Sequence, residues 1–68
     1  MIQIFVNGQK QVYDVSITMA DLFQILNLNS KHIVVELNGE AFPGDELLVY
    51  ALQDQDALEI VHFMGGGV

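Results

Sequence analysis

Ile2, Ile4 and Val6 alternate with Gln3 and Phe5, the period-two pattern of a half-buried strand. Asn7-Gly8 follows, a dipeptide suited to a two-residue hairpin turn. Residues 9–15 then alternate again, with Val12 and Asp14 on one side and Tyr13 and Val15 on the other. An opening β-hairpin is predicted. The period next changes. Met19, Leu22, Phe23, Ile25 and Leu26 recur at helical spacing behind Ser16 or Thr18, whose hydroxyls can cap a helix, until Asn27-Leu28-Asn29 ends the run. Ile33-Val34-Val35-Glu36-Leu37 reads as a short β-branched strand, and Asn38-Gly39 as a second tight turn leading into Glu40-Ala41-Phe42, before Pro43-Gly44 breaks the chain.

Residues 45–52 suit either a helical turn or an edge strand, because Leu47, Leu48, Val49 and Tyr50 are too few for periodicity to arbitrate. An irregular turn followed by a brief strand over residues 49–52 is the expectation. Asp54-Gln55-Asp56 reads as a solvated turn, and Leu58-Glu59-Ile60-Val61-His62-Phe63 as the last strand. Hairpin, crossing helix and further strands describe an α+β domain, a mixed sheet with one helix packed on one face. A last strand lying inside that sheet makes the arrangement a β-grasp over residues 1–64, followed by a flexible glycine-rich tail at residues 65–68. If Gln3, Glu36 and Glu59 face water, then Ile2, Ile4, Val6, Leu22, Leu26, Ile33, Val35, Leu37, Leu58 and Ile60 share the inward phase and form the core. The same phase puts Phe5, Val34, Val61 and Phe63 together on the open face of the sheet, an apolar patch leading to the tail and suited to a partner.

Composition narrows the function. In 68 residues, 51% of them hydrophobic, there is no cysteine, so disulfides, thiolate metal sites and thiol nucleophiles are excluded. Nine acidic residues against two lysines give a net charge of -7, which is unsuited to nucleic acid and favours a basic protein surface as partner. The start of the chain lacks the basic and apolar regions of a signal peptide, and no apolar run approaches the ~18 residues of a membrane span. A cytoplasmic protein away from membranes is expected. His32 and His62 lie far apart with no cysteine partners, so no metal site is expected, and Asp54 and Asp56 read as turn residues rather than an acid/base pair.

The glycines at 65–67 stand where no later turn or loop needs them, which leaves close approach as their use. A tail without Cβ atoms can be threaded through a narrow channel, and the reacting group is then a backbone carboxylate. Nearly the whole chain resembles the ThiS branch of the ThiS/MoaD sulfur carrier family, ubiquitin-like proteins of thiamine thiazole synthesis. The residues carrying the likeness are Asn38-Gly39-Glu40 after an apolar strand, Asp54-Gln55-Asp56 before Leu58-Glu59-Ile60-Val61, and the ending Val61-His62-Phe63-Met64-Gly65-Gly66-Gly67.

The resemblance implies a non-enzymatic protein co-substrate. A ThiF-like enzyme would use ATP to adenylate the terminal glycine carboxylate, and sulfur from a donor such as a cysteine desulfurase would replace AMP. The resulting thiocarboxylate would then serve a ThiG-like thiazole synthase, and no permanently bound cofactor is implied. The carrying residue would be Gly67 after loss of Val68, or Gly66 after further trimming, with Gly65 part of the threaded tail. A MoaD-type carrier for molybdopterin and a ubiquitin-like module that is never activated are the alternatives. The chain departs from the family pattern at two places. Gln55 stands where glycine is usual, which is unfavourable if that position is left-handed, and Val68 follows the last glycine.

Overall fold

The computed structural model describes residues 1–63. Strand β1 (Ile2–Val6) and strand β2 (Gln9–Tyr13) form the opening hairpin, helix α1 spans Met19–Ile25, and β3 (Ile33–Leu37), β4 (Glu40–Pro43) and β5 (Ala57–His62) complete the strands. The sheet order is β2-β1-β5-β3-β4. β5 runs parallel to β1 and antiparallel to β3, so the sheet is mixed and its last strand in sequence is central in space. This is the expected β-grasp arrangement.

Both hairpins turn on Asn-Gly with both residues at positive φ: Asn7 at 50° and Gly8 at 83°, Asn38 at 50° and Gly39 at 92°. Such turns match the right-handed twist of the flanking strands. Helix α1 is closed at both ends by its own sequence. Thr18 Oγ1 accepts from the Asp21 amide at 3.2 Å, and an Asp21 carboxylate oxygen accepts from the Thr18 amide at 3.0 Å. At the other end Asn27 turns left-handed at φ 59°, the Leu28 amide reaches the Phe23 carbonyl at 2.8 Å and the Asn27 amide reaches that of Gln24 at 3.1 Å.

All ten residues expected in the core are buried or packed against it, and Met19, Phe23, Leu47 and Leu52 join them. Ile25, read as part of the helical stripe, is exposed instead, because the helix ends there and it lies off the face that meets the sheet. The opening hairpin is also shorter than expected: β2 stops at Tyr13, leaving Val15 exposed.

Residues 49–52 are not a strand. A 3-10 turn spans Gly44–Leu47, and Ala51 makes one isolated bridge to Thr18. The helix explains the irregularity. The first amides of α1 have no intrahelical acceptors, and this segment supplies them: Met19 donates to the Tyr50 carbonyl at 2.8 Å and Ala20 to that of Leu48 at 3.1 Å. The Met19–Tyr50 bond and the bond from the Leu52 amide to the Ile17 carbonyl, at 2.9 Å, make up the single bridge, and the helix that begins at Met19 ends the pairing there. The segment is held down where it begins, since a Cβ on Gly44 would lie 2.6 Å from the Ser30 carbonyl oxygen.

Candidate functional site

β5 is the strand that leads to the glycines, and its backbone faces two ways. Pairing with β3 places Val34 opposite Val61 and Glu36 opposite Glu59, and the Phe63 amide donates to the His32 carbonyl at 3.0 Å. By alternation the main-chain groups of Leu58 and Ile60 face β1 instead. There β1 ends at Val6, and the turn after it takes over. The Asn7 amide donates to the Leu58 carbonyl at 2.8 Å. The Asn7 carboxamide then accepts from the Ile60 amide at 2.7 Å and donates to the Ile60 carbonyl at 3.5 Å. A side chain thus replaces the missing strand residue.

The start of β5 is held by the other Asn-Gly turn. The Asn38 amide donates to the Ala57 carbonyl at 2.8 Å, and Asn38 Oδ1 accepts from the Ala57 amide at 2.9 Å. Its Nδ2 donates at 2.9 Å to Asp56, a carboxylate only 6% exposed. Asp56 also accepts from the Tyr50 hydroxyl at 2.7 Å and the Gln53 amide at 2.8 Å. Burial, with the hydrogen bond to and the charge of Asp56, pushes the Tyr50 hydroxyl up to about 12 from 10.0. The turn expected to be solvated is therefore solvated at Asp54 and buried at Asp56, because the strand start needs an acceptor for three donors. Gln55 sits left-handed at φ 74°, the unfavourable case expected for a side chain there.

The open face carries the patch read from the strand phase. Val61 and Phe63 are exposed, Phe5 and Val34 half-buried, and Phe5 lies beside Ala57 of β5 and Lys10 of β2. Glu36 and Glu59 face each other directly across β3 and β5, an arrangement that repels in the isolated chain. A shallow hollow of about 220 Å³ lies between Phe5, Ala57 and this carboxylate pair. On the helix side a groove of about 410 Å³ opens between Asn7, Gln11, Leu26, Leu28, Ile60 and His62. His32 ends a 3-10 turn and His62 ends β5, and no group of three or more metal-ligating side chains lies together among the described residues. The candidate carrying residues Gly66 and Gly67, and Gly65 of the tail, lie outside the described residues.

Comparison with known proteins decides the family. The model of the ThiS family matches residues 2–67. This chain belongs to the ThiS family. Among its relatives, the sulfur carrier protein ThiS of Bacillus subtilis is 40% identical over 50 residues, covering 74% of this chain and 76% of that protein. A crystal structure of a thiamine biosynthesis protein (ThiS) from Geobacter metallireducens superposes with a TM-score of 0.76 at 32% identity, covering 97% of this chain and all of that one. A thiazole synthase of Paramagnetospirillum magneticum is 35% identical over 65 residues, and the chain spans a fifth of that protein's length. The expected function, a sulfur carrier of thiamine biosynthesis, agrees with this membership.

Strand phase alone located the patch. The roles of Asn7, Asn38 and Asp56 were not legible, since Asn-Gly and an acidic turn are already accounted for as turn chemistry.

Proposed function

We propose that the chain carries sulfur as a thiocarboxylate on Gly67. The Gly67 carboxylate attacks the α-phosphorus of ATP in a ThiF-like enzyme and releases pyrophosphate. A donor such as a cysteine desulfurase supplies sulfur as a persulfide, which a thiol reduces to hydrosulfide with formation of a disulfide. The hydrosulfide then adds to the acyl carbon, AMP departs with the electron pair of the broken C–O bond, a proton is released, and C(=O)S⁻ remains. A carboxylate is a poor acyl donor and the mixed anhydride a good one, which is why ATP is spent first. No side chain of this protein takes part. A free carboxylate on Gly67 requires cleavage of the Gly67–Val68 bond, and trimming one residue further would place the chemistry on Gly66. A ThiG-like thiazole synthase then takes the sulfur, in the cytoplasm.

The observation that carries this reading is the placement of β5: a central strand, bonded as far as Phe63 on the β3 side and as far as Ile60 on the other, and followed in sequence by Met64-Gly65-Gly66-Gly67. The patch of Phe5, Val34, Val61 and Phe63 supports docking beside the tail. The opposed Glu36 and Glu59 favour a partner that brings a cation to the hollow between them and relieves their repulsion.

The test is ATP–pyrophosphate exchange with the activating enzyme, comparing the chain as written with one ending at Gly67. The shorter chain should be active and the longer one inactive until trimmed. In the shorter chain, Val61→Asp or Phe63→Asp should fold normally yet raise KM at least tenfold, and Gly66→Val should abolish exchange. Normal exchange by the Gly66→Val chain would eliminate the threaded tail.

A further inference from the structure

We propose that Asn7 is a positioning residue for the tail, acting through the last turn of the β5 ladder; the proposal rests on the carrier reading above. The pairing of β1 with β5 ends at Val6 and Leu58, four residues before β5 itself ends at His62. On that side Ile60 would have an unpaired amide and carbonyl a few residues before the glycines, and an unpaired strand end frays. The Asn7 carboxamide supplies one acceptor and one donor in the order that a strand residue would, 2.7 Å from the Ile60 amide and 3.5 Å from its carbonyl.

The turn itself does not need this side chain. Its φ of 50° is equally open to glycine or aspartate, so the hairpin and the clamp can be separated by substitution. On the opposite side, the Phe63 amide bonded to the His32 carbonyl is the last ladder contact among the described residues. Asn7, at Ile60, and His32, at Phe63, therefore hold β5 from its two sides near its end, and so orient the strand from which the tail continues. Activation needs the docking face and the tail to engage one enzyme together. A strand end that opens reduces the fraction of molecules able to do so, which raises the apparent dissociation constant by the reciprocal of that fraction and leaves chemistry in the seated complex unchanged.

The chain ending at Gly67 is compared with its Asn7→Gly and Asn7→Asp variants at a temperature where thermal melts show all three fully folded. Asn7→Gly should speed exchange of the Ile60 amide about tenfold, with the Ile4 and Val35 amides unchanged. It should raise KM in pyrophosphate exchange about threefold and leave kcat unaltered. Asn7→Asp, which still accepts from the Ile60 amide, should lie nearer the parent. An Asn7→Gly chain with parental KM, or with a fall confined to kcat, overturns the assignment while leaving the carrier reading intact. An inactive parent chain overturns the carrier reading and the assignment with it.

Discussion

Replacing Asp56 with alanine tests the account of how β5 is anchored. The carboxylate accepts three hydrogen bonds, from the Tyr50 hydroxyl, the Gln53 amide and Asn38 Nδ2, all between 2.7 and 2.9 Å, and is 6% exposed. Hydrogen bonds to a charged acceptor contribute about 1.5–3 kcal/mol each, but members of one network do not add fully. The truncation also strands two side-chain donors, Tyr50 and Asn38, in a partly buried site. A net loss of about 3–5 kcal/mol follows. A domain of this size has only about 3–10 kcal/mol in all, so Asp56→Ala should lose about a third or more of its stability and unfold at a much lower urea concentration. Asp56→Asn, which retains one acceptor oxygen, should lose about half as much. Urea denaturation followed by far-UV circular dichroism measures both. If Asp56→Ala came within about 1 kcal/mol of the parent, the network would contribute nothing beyond ordinary turn chemistry, and the account of the strand's anchoring would fail.

Three further outcomes follow from the same geometry. Leu58→Ala empties a side chain that is 2% exposed at the centre of the sheet and should reduce stability by about 2–5 kcal/mol in the same denaturation experiment. Gln55→Gly relieves a left-handed residue at φ 74° and should raise stability by about 1 kcal/mol, read as a higher melting temperature. The Tyr50 hydroxyl is raised to about 12 in the fold from 10.0, so its contribution is complete below pH 10 and is lost as pH rises toward 12; Tyr50→Phe should flatten stability across that window.

The fold was legible because period and turn chemistry agreed. Alternation in residues 2–6, helical spacing from Met19 and two Asn-Gly turns point to the same α+β arrangement, and the inward phase placed every core residue named from it. The failures around β5 and the helix start share one cause: local patterns do not report what a polar group does at a distance. Residues 49–52 look like a strand but serve as acceptors for the helix N-terminus. Asp56 looks like a turn residue but is an acceptor for three donors, two on its own connection and one, Asn38, on the turn between β3 and β4. Asn7 looks complete once its turn is made, and only the mismatch in length between β1 and β5 reveals its second use. The patch was found because face membership is a period-two property, whereas the direct opposition of Glu36 and Glu59 needed the register of two strands distant in sequence.

Sulfur carried on the backbone terminus leaves a signature in the mass of the chain. Intact-mass and C-terminal peptide mass spectrometry of the protein taken from thiamine-starved cells tests it most directly. The expected result is a chain ending at glycine, with a fraction in which one carboxylate oxygen is replaced by sulfur and which returns to the carboxylate on addition of thiazole synthase and its substrates. A population ending uniformly in an unprocessed residue beyond Gly67, with no sulfur-for-oxygen exchange, would contradict it.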